Sequence, residues 1–503
     1  MGVEASATSD RRSILSGTAQ NVLGIAIAGL ATFGVNVLIS RTLGSDGLGV
    51  VTVVTQAAFV LSFATRAGMD MAVLRDVAIE LGVERPERIR RPVARAVVIA
   101  FGVSALVAVA LFASAGSLAT ALSVESDTAE RVIRAAALGL PFIAVANVWL
   151  AATRGLKIMR YTLYVFWAGQ PVLWIVLMLA GWVWSETDWM SVAAYSASWA
   201  VAAAAAHQFW RRESASWAVE RLEPGWIGRL VRYAGPRAPA ALFAQLLFWT
   251  DLFVLTRYAP ASEVGVYSAV LRTGQIIVLF LTSVNLMFSP YVADLHNRGE
   301  RERLDDLFKS LTRWTLAATL PIFLLLMVAP QSVLRVFGGG FADGDAALRI
   351  VLLGQLLNIA TGSVGFILIM VGRTGWDLVV YAGSLVVDLV VAFVLAPKLG
   401  MEGAAIANAV TFGVSNAVRL LLVMRFVRIQ PYDRNYVRLL VPALVGLGAM
   451  LVLHQVYDDR WLADLLLTGV VGGGAYVAAY LWLGTAPGER QGLARLIAAR
   501  GRR

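Results

Sequence analysis

Residues 40–50 read SRTLGSDGLGV, and residues 256–266 read TRYAPASEVGV. Each stretch sets a hydroxyl residue and an arginine seven residues ahead of a Gly-Val pair, Ser40-Arg41 before Gly49-Val50 and Thr256-Arg257 before Gly265-Val266, at an offset of 216 residues. Both are short polar breaks between long apolar runs. About 20 apolar residues in a helix span the hydrocarbon core of a bilayer, so each break is the turn of a transmembrane hairpin. Its recurrence predicts two copies of one bundle, joined in the same direction and related by an axis along the membrane normal.

Outward from these turns the apolar runs continue along the chain: 14–40, 48–80, 93–115, 129–152, 161–182, 189–209, 234–257, 265–294, 310–330, 346–371, 377–397, 402–424, 438–456 and 464–484. The expected fold is all-α, a polytopic membrane protein of about 14 transmembrane helices in two pseudo-symmetric six-helix lobes plus two C-terminal helices. The N-lobe is expected over 1–210, a cytoplasmic linker over 211–237, the C-lobe over 238–430, and the last two spans with a basic tail over 431–503. Composition agrees: 58% of the 503 residues are hydrophobic and 15% charged, against about 45–50% and about 25% in soluble domains. The tail QGLARLIAARGRR sets Leu493, Leu496 and Ile497 on one helical face among arginines. It either lies on the inner leaflet or is simply solvated.

The formal net charge of +10 follows the membrane and is no sign of nucleic acid. Basic residues gather in alternate loops, roughly 30 on one side against about 5 on the other, which predicts both termini in the cytoplasm and the plasma membrane as the site of residence. The first apolar stretch is too long for a signal peptide and has no small-residue cleavage site, so it is expected to stay as the first span. With no cysteine and three histidines, the chain offers no disulfide framework, thiolate nucleophile or cysteine-held metal. No metal cluster, cofactor motif or nucleophile–base arrangement is legible.

Several motifs recur in a telling order: Gly235-Pro236 opening the seventh span with Asp251 near its end, Glu263-Val-Gly265-Val-Tyr267-Ser268 opening the eighth, and Pro290 near its close. Pro397-Lys-Leu-Gly400-Met-Glu-Gly403-Ala-Ala-Ile-Ala407 leads into the twelfth, and Arg41-Thr-Leu-Gly44 with Gly47-Leu-Gly49 forms the first outside turn. With these the chain resembles the polysaccharide flippase branch of the multidrug/oligosaccharidyl-lipid/polysaccharide exporter superfamily. The resemblance implies two six-helix lobes around a central cavity, moving a polyprenyl-diphosphate-linked oligosaccharide to the outer leaflet by alternating access. Its expected partners are that lipid-linked substrate, the bilayer and polysaccharide polymerase or ligase machinery. A peptidoglycan-precursor flippase is the nearest alternative. The drug/cation antiporters of the superfamily carry a carboxylate in the first span, whereas residues 14–40 hold no Asp or Glu. A membrane glycosyltransferase needs catalytic acids at a water-facing loop, and the outside breaks are short, their acids in no recognisable pair.

Charged groups inside the bilayer cost at least about 2.5–3.5 kcal/mol each, so every one needs a partner, a wet cavity or a task. Arg66 is expected at the inner edge of the hydrocarbon, where a planar guanidinium suits a diphosphate; the local alternative is an i,i+4 pair with Asp70. Asp251 and Arg272 lie equally far from the turn between the seventh and eighth spans and are expected either to pair or to line the cavity. Gln275 and Asn285 are further cavity candidates, while Asn358, Asn408 and Asn416 could equally join helices. Asp388 is an isolated acid that either binds a proton or sodium ion or meets a polar group elsewhere in the chain. Trp149, Trp167, Trp174 and Trp249 are compatible with sugar stacking and with the ordinary membrane interface, and stay outside the site. Pro141, Pro171, Pro290 and Pro321, with Gly68, are expected places of bending.

Overall fold

The computed structural model describes residues 2–82, 84–121, 129–220, 225, 228, 238–239 and 241–485, and every regular element among them is helical. The principal helices are α1 (Gly2–Thr65), α2 (Met69–Gly82), α3 (Arg90–Ala113), α4 (Ala129–Gly155), α5 (Arg160–Trp182), α6 (Asp188–Ser214), α7 (Thr250–Leu255), α8 (Ala261–Ile276) and α9 (Leu279–Asn297). They are followed by α10 (Arg301–Val328), α11 (Asp345–Thr361), α12 (Val364–Met370), α13 (Thr374–Phe426), α14 (Leu440–Tyr457) and α15 (Trp461–Gly484). Linker residues 229–237, including Gly235-Pro236, the outside acids Glu125 and Asp127, and the tail from residue 486 lie outside the described residues.

Eight of the described helices are long and apolar enough to cross a membrane, and ten when two bent pairs each count as one span. Two of the eight are divided internally: α1 at Gly44 (φ 73°) and α13 at Gly400 (φ 56°). Both glycines take the left-handed conformation that a side chain resists, and both fall in turns expected from the sequence. Fourteen spans therefore stand as an expectation beyond the ten counted by length and composition.

Pro141 and Pro321 do not interrupt their helices, α4 and α10, which run through them. The breaks lie elsewhere. α8 meets α9 at 48° and α11 meets α12 at 45°, the latter across Gly362 (φ 69°). The second span parts between Thr65 and Met69, where Ala67 (φ 49°) and Gly68 (φ 73°) leave the helix.

The described chain forms two compact units. The first, residues 23–269 and 377–411, packs small and branched side chains of α2, α3 and α4, among them Val73, Val77, Ala96, Ala100 and Ala152, with Trp210 closing the cluster. Small residues let helix backbones approach. Thus Ser196 Oγ in α6 donates to the Ala135 carbonyl of α4 at 2.7 Å. At one end of this unit Arg88 pairs with Glu220 at 2.9 Å and Arg90 donates to the Trp217 carbonyl at 3.1 Å. Elsewhere Gly49 lies against Gly265, and Glu263 accepts from the Met401 amide at 2.7 Å.

The second unit comprises residues 1–22, 270–376 and 412–503. Its core stacks Phe288 on Phe308 among Leu304, Leu311, Ile367 and Val423. Gln430 N donates to Asp305 at 3.0 Å, and Arg301 donates to the Arg428 carbonyl. The last two helices are fastened here. The buried Asp464 of α15 accepts from Ser332 (2.5 Å) and Thr468 (2.9 Å) and meets His454 Nδ1 of α14 at 3.0 Å, while Tyr476 Oη donates to the Ala317 carbonyl at 2.8 Å.

Candidate functional site

The break in the second span is built around Arg66. With Ala67 and Gly68 out of the helix, the i→i+4 ladder stops, and the guanidinium turns back on its own chain. Arg66 Nε donates to the Ser62 carbonyl at 3.0 Å, and Nη1 donates to Asp70 Oδ2 at 2.9 Å. The guanidinium carbon also lies 3.9 Å from the centroid of Phe63. Arg66 is only 3% exposed, yet its Nη2 has no hydrogen-bond partner among the described residues. Leaving a charged donor unmatched in a buried place is costly. Here it presents a ready grip for an anionic oxygen, because the guanidinium plane is already held by the other contacts.

Arg154, at the end of α4, joins this place: it interacts electrostatically with both Asp70 and Arg66, and its Nη1 donates to Thr162 Oγ1 at 3.3 Å. Two arginines against one aspartate leave a net positive site. The sequence showed Arg154 only as one of many inside cations, because the 88 residues separating it from Arg66 hide their meeting. The i,i+4 pairing of Arg66 with Asp70 is observed: one donor edge is satisfied locally, and Nη2 is left over among the described residues.

A second constellation sets two acids, Asp251 and Asp388, among polar groups of neighbouring spans. Asp251, fully buried in α7, accepts from the Leu252 amide at 2.9 Å, from Asn408 Nδ2 at 2.9 Å and from the Tyr267 hydroxyl. Asp388 of α13 accepts from Thr411 Oγ1 at 3.3 Å and lies close enough to feel the charge of Asp251. Its other oxygen, Oδ2, and Asn408 Oδ1 are buried with no hydrogen-bond partner among the described residues. Two buried carboxylates repel each other unless a cation or proton stands between them. The unmatched oxygens, all hard donors, suit a proton or a small monovalent ion such as sodium. Asp388 is thus not isolated. Tyr267 and Asn408 stood in the sequence as motif or helix-joining residues, and only the fold brings them to Asp251, 16 and 157 residues away.

Arg272, Gln275 and Asn285 belong to the other unit, whereas Arg66, Asp70 and Asp251 share one. Gln275 stands in the last turn of α8 just before the 48° bend, and Asn285 is buried in α9. Two amides serve their own helices: Asn416 Nδ2 donates to the Phe412 carbonyl at 2.9 Å, and Asn358 Nδ2 to Gln355 Oε1 at 3.2 Å. Trp174 likewise donates its indole N–H to the Ser191 carbonyl at 2.8 Å. Among the described residues no group of three or more His, Asp and Glu side chains is placed to hold a metal ion.

The profile of the MatE family matches the chain twice, at residues 22–180 and 236–394, two stretches of equal length 214 residues apart. A probable low-salt glycan biosynthesis flippase of Haloferax volcanii, Agl15, is 23% identical over 202 residues, which are 40% of this chain and 43% of that protein. The chain therefore spans less than half the length of the curated relative it matches. In fold it is similar to the lipid II flippase MurJ in an inward closed conformation, with a TM-score of 0.73 at 12% identity over 92% of this chain and 98% of that one. It is also similar to a multidrug resistance MATE transporter of the MOP superfamily in an inward-facing conformation, with a TM-score of 0.67 at 14% identity over 80% of this chain and 94% of that one.

Proposed function

The chain belongs to the MatE family, and from that premise we propose that this multi-pass membrane transporter flips a polyprenyl-diphosphate-linked oligosaccharide from the inner to the outer leaflet of the plasma membrane. It does so by alternating access, for the assembly of cell-surface polysaccharide. The observation that carries the reading is Arg66: a buried arginine at a helix break, with Arg154 nearby and one guanidinium nitrogen unmatched. That is a site for an anionic head group, and it is out of place in a transporter of cationic drugs. The similarity to a glycan biosynthesis flippase supports the same class of cargo.

The energetics favour export. Two negative charges leaving a cell interior at about −100 mV gain about 4.6 kcal/mol, at about 2.3 per charge. Asp251 and Asp388 then supply a second influence, since an inward-moving proton or sodium ion bound between them neutralises the pair and biases one conformation over the other. Arg272, Gln275 and Asn285 are proposed as further cargo-binding candidates.

Deletion of the gene, followed by identification of the lipid-linked glycan that accumulates in the inner leaflet, tests the proposal. Accumulation of a surface-glycan precursor supports it. Accumulation of peptidoglycan precursor alone moves the substrate to the neighbouring class, and no accumulation overturns the flippase reading. In reconstituted vesicles, Arg66→Ala is expected to abolish most transport and Arg66→Lys to retain part of it, because lysine keeps the charge but loses the planar fork.

A further inference from the structure

Starting at Arg66, one face of the second span carries aromatic rings. Phe63 and Phe59 precede Arg66 by one and two turns on the same helical face, about 4.5 and 10.5 Å along the axis. Phe63 and Phe59 meet edge to face at 5.5 Å. Phe59 then meets Phe166 of α5 at 6.1 Å and Trp199 of α6 at 6.4 Å, and Phe166 meets Trp199 at 5.7 Å. Three spans thus bring their rings to one place, directly beyond the cationic break.

Two independent features separate this cluster from ordinary core. Leu163–Gly169 is wound as a π-helix, and this extra-wide turn carries Phe166 and Trp167. Such bulges cost helical hydrogen bonds and gather at functional places. Trp199 is 2% exposed, and its indole N–H has no acceptor among the described residues, although Trp174, joined to it through the Tyr195 ring, has one. A core that served packing alone would fill this position with a side chain lacking a polar atom. Phe59, Phe63 and Phe166 remain half-buried.

We infer that Phe59, Phe63, Phe166 and Trp199 form a sugar-stacking subsite that receives the first residues of the glycan while Arg66 holds the diphosphate. The apolar C–H face of a pyranose packs on an aromatic ring, and its hydroxyl oxygens accept from an indole N–H. The order along the span, cation first and rings beyond, is the order of phosphate and sugar in a lipid-linked glycan. The inference rests on the proposed flippase function and adds to it that the saccharide, besides the phosphate, is read.

The test uses the full chain in lipid nanodiscs, with two probes bound in parallel: a bare polyprenyl diphosphate and the same lipid carrying a disaccharide. Phe166→Leu and Trp199→Phe are each expected to weaken binding of the disaccharide lipid by roughly three- to tenfold and leave the bare lipid unchanged. Phe166→Tyr is expected to keep binding of both. Equal losses on both probes would assign the rings to packing and overturn the subsite, as would no loss on either. Should Phe166→Leu fail to fold, Trp199→Phe decides alone, because it removes the N–H and keeps an aromatic ring. Arg66→Ala separates the two readings. Loss of both probes supports the phosphate grip, and loss of neither removes that grip while leaving the sugar subsite to be judged by the ring variants.

Discussion

Gly49 and Gly265 lie back to back, and a Cβ on either would come within 3.0 Å of the other's amide nitrogen. They occupy the same place in the two copies of the repeat, 216 residues apart. Their reciprocal contact is therefore the internal symmetry expressed as a physical interface: each copy offers its glycine to the other's backbone. Glu263, two residues before Gly265, accepts from the Met401 amide just beyond the Gly400 break, so the start of a third span is tied to the same place.

Substitution of either glycine should prise this interface apart. In Gly49→Val the new side chain meets the Ala261 carbonyl, and in Gly265→Val it meets that of Ser45. Overpacking of this kind costs about 1–3 kcal/mol in any arrangement that holds the two glycines together. Faster labelling of a cysteine placed at Ser45, together with reduced export, is the expected result; labelling at the unmodified rate would show that the contact does not hold these turns together.

The Arg66–Asp70 pair lends itself to a double-mutant cycle on yield and transport. Asp70→Leu leaves the guanidinium without its one carboxylate contact, a loss of roughly 3–5 kcal/mol for a buried pair. Arg66→Met combined with Asp70→Leu should recover protein yield but not transport, since the charge that grips the cargo is gone. Recovery of both would make the pair purely structural.

Asp388→Asn is expected to leave yield nearly unchanged, because the altered oxygen has no donor to lose, and to remove any response of transport to a proton or sodium gradient. Asp251→Ala is harsher. It strips the acceptor from Tyr267 and Asn408, at about 1–3 kcal/mol for each buried donor left unmatched. Gradient-driven uptake in vesicles and thermal melting of the same samples distinguish these effects, and an Asp388→Asn protein that still follows the gradient would place coupling elsewhere.

Asp464 is expected to govern how firmly the last two helices hold to α10 and the segment after it. Ser332→Ala removes one of three donors and should cost about 1 kcal/mol, whereas Asp464→Leu orphans Ser332, Thr468 and His454 together. Thermal unfolding followed by tryptophan fluorescence, with limited proteolysis near residue 458, is the measurement. Equal stability of the two variants would mean that packing through Tyr476 and Met450 suffices.

Cysteine scanning checks the orientation, helped by the native chain's lack of cysteine. A cysteine at Glu220 should react only with reagents that enter the cell, since its partner Arg88 lies in a loop assigned inside by charge. A cysteine at Ser45 should react from outside. The opposite pattern would invert the topology.

How much of this was legible in sequence follows from the range of each interaction. The bilayer forces every backbone group to bond within its own helix, so apolar runs, their glycine-marked turns and the alternation of basic loops are local signals. Gly44 and Gly400 were readable as breaks for that reason, and the repeat of Gly49-Val50 in Gly265-Val266 led to the expectation of two related stretches, which the family profile matches twice. The i,i+4 pairing of Arg66 with Asp70 was equally local. What no local rule carries is which side chains from distant spans meet: Asp251 with Asn408 and Asp388, Arg154 with Arg66, Phe59 with Trp199, Asp464 with Ser332. Membrane helices all read as apolar, and small differences of rotation and tilt decide which of their few polar groups face one another. The apolar runs and the breaks between them were therefore determined by the sequence itself, and the choice of partner among their polar groups by tertiary packing.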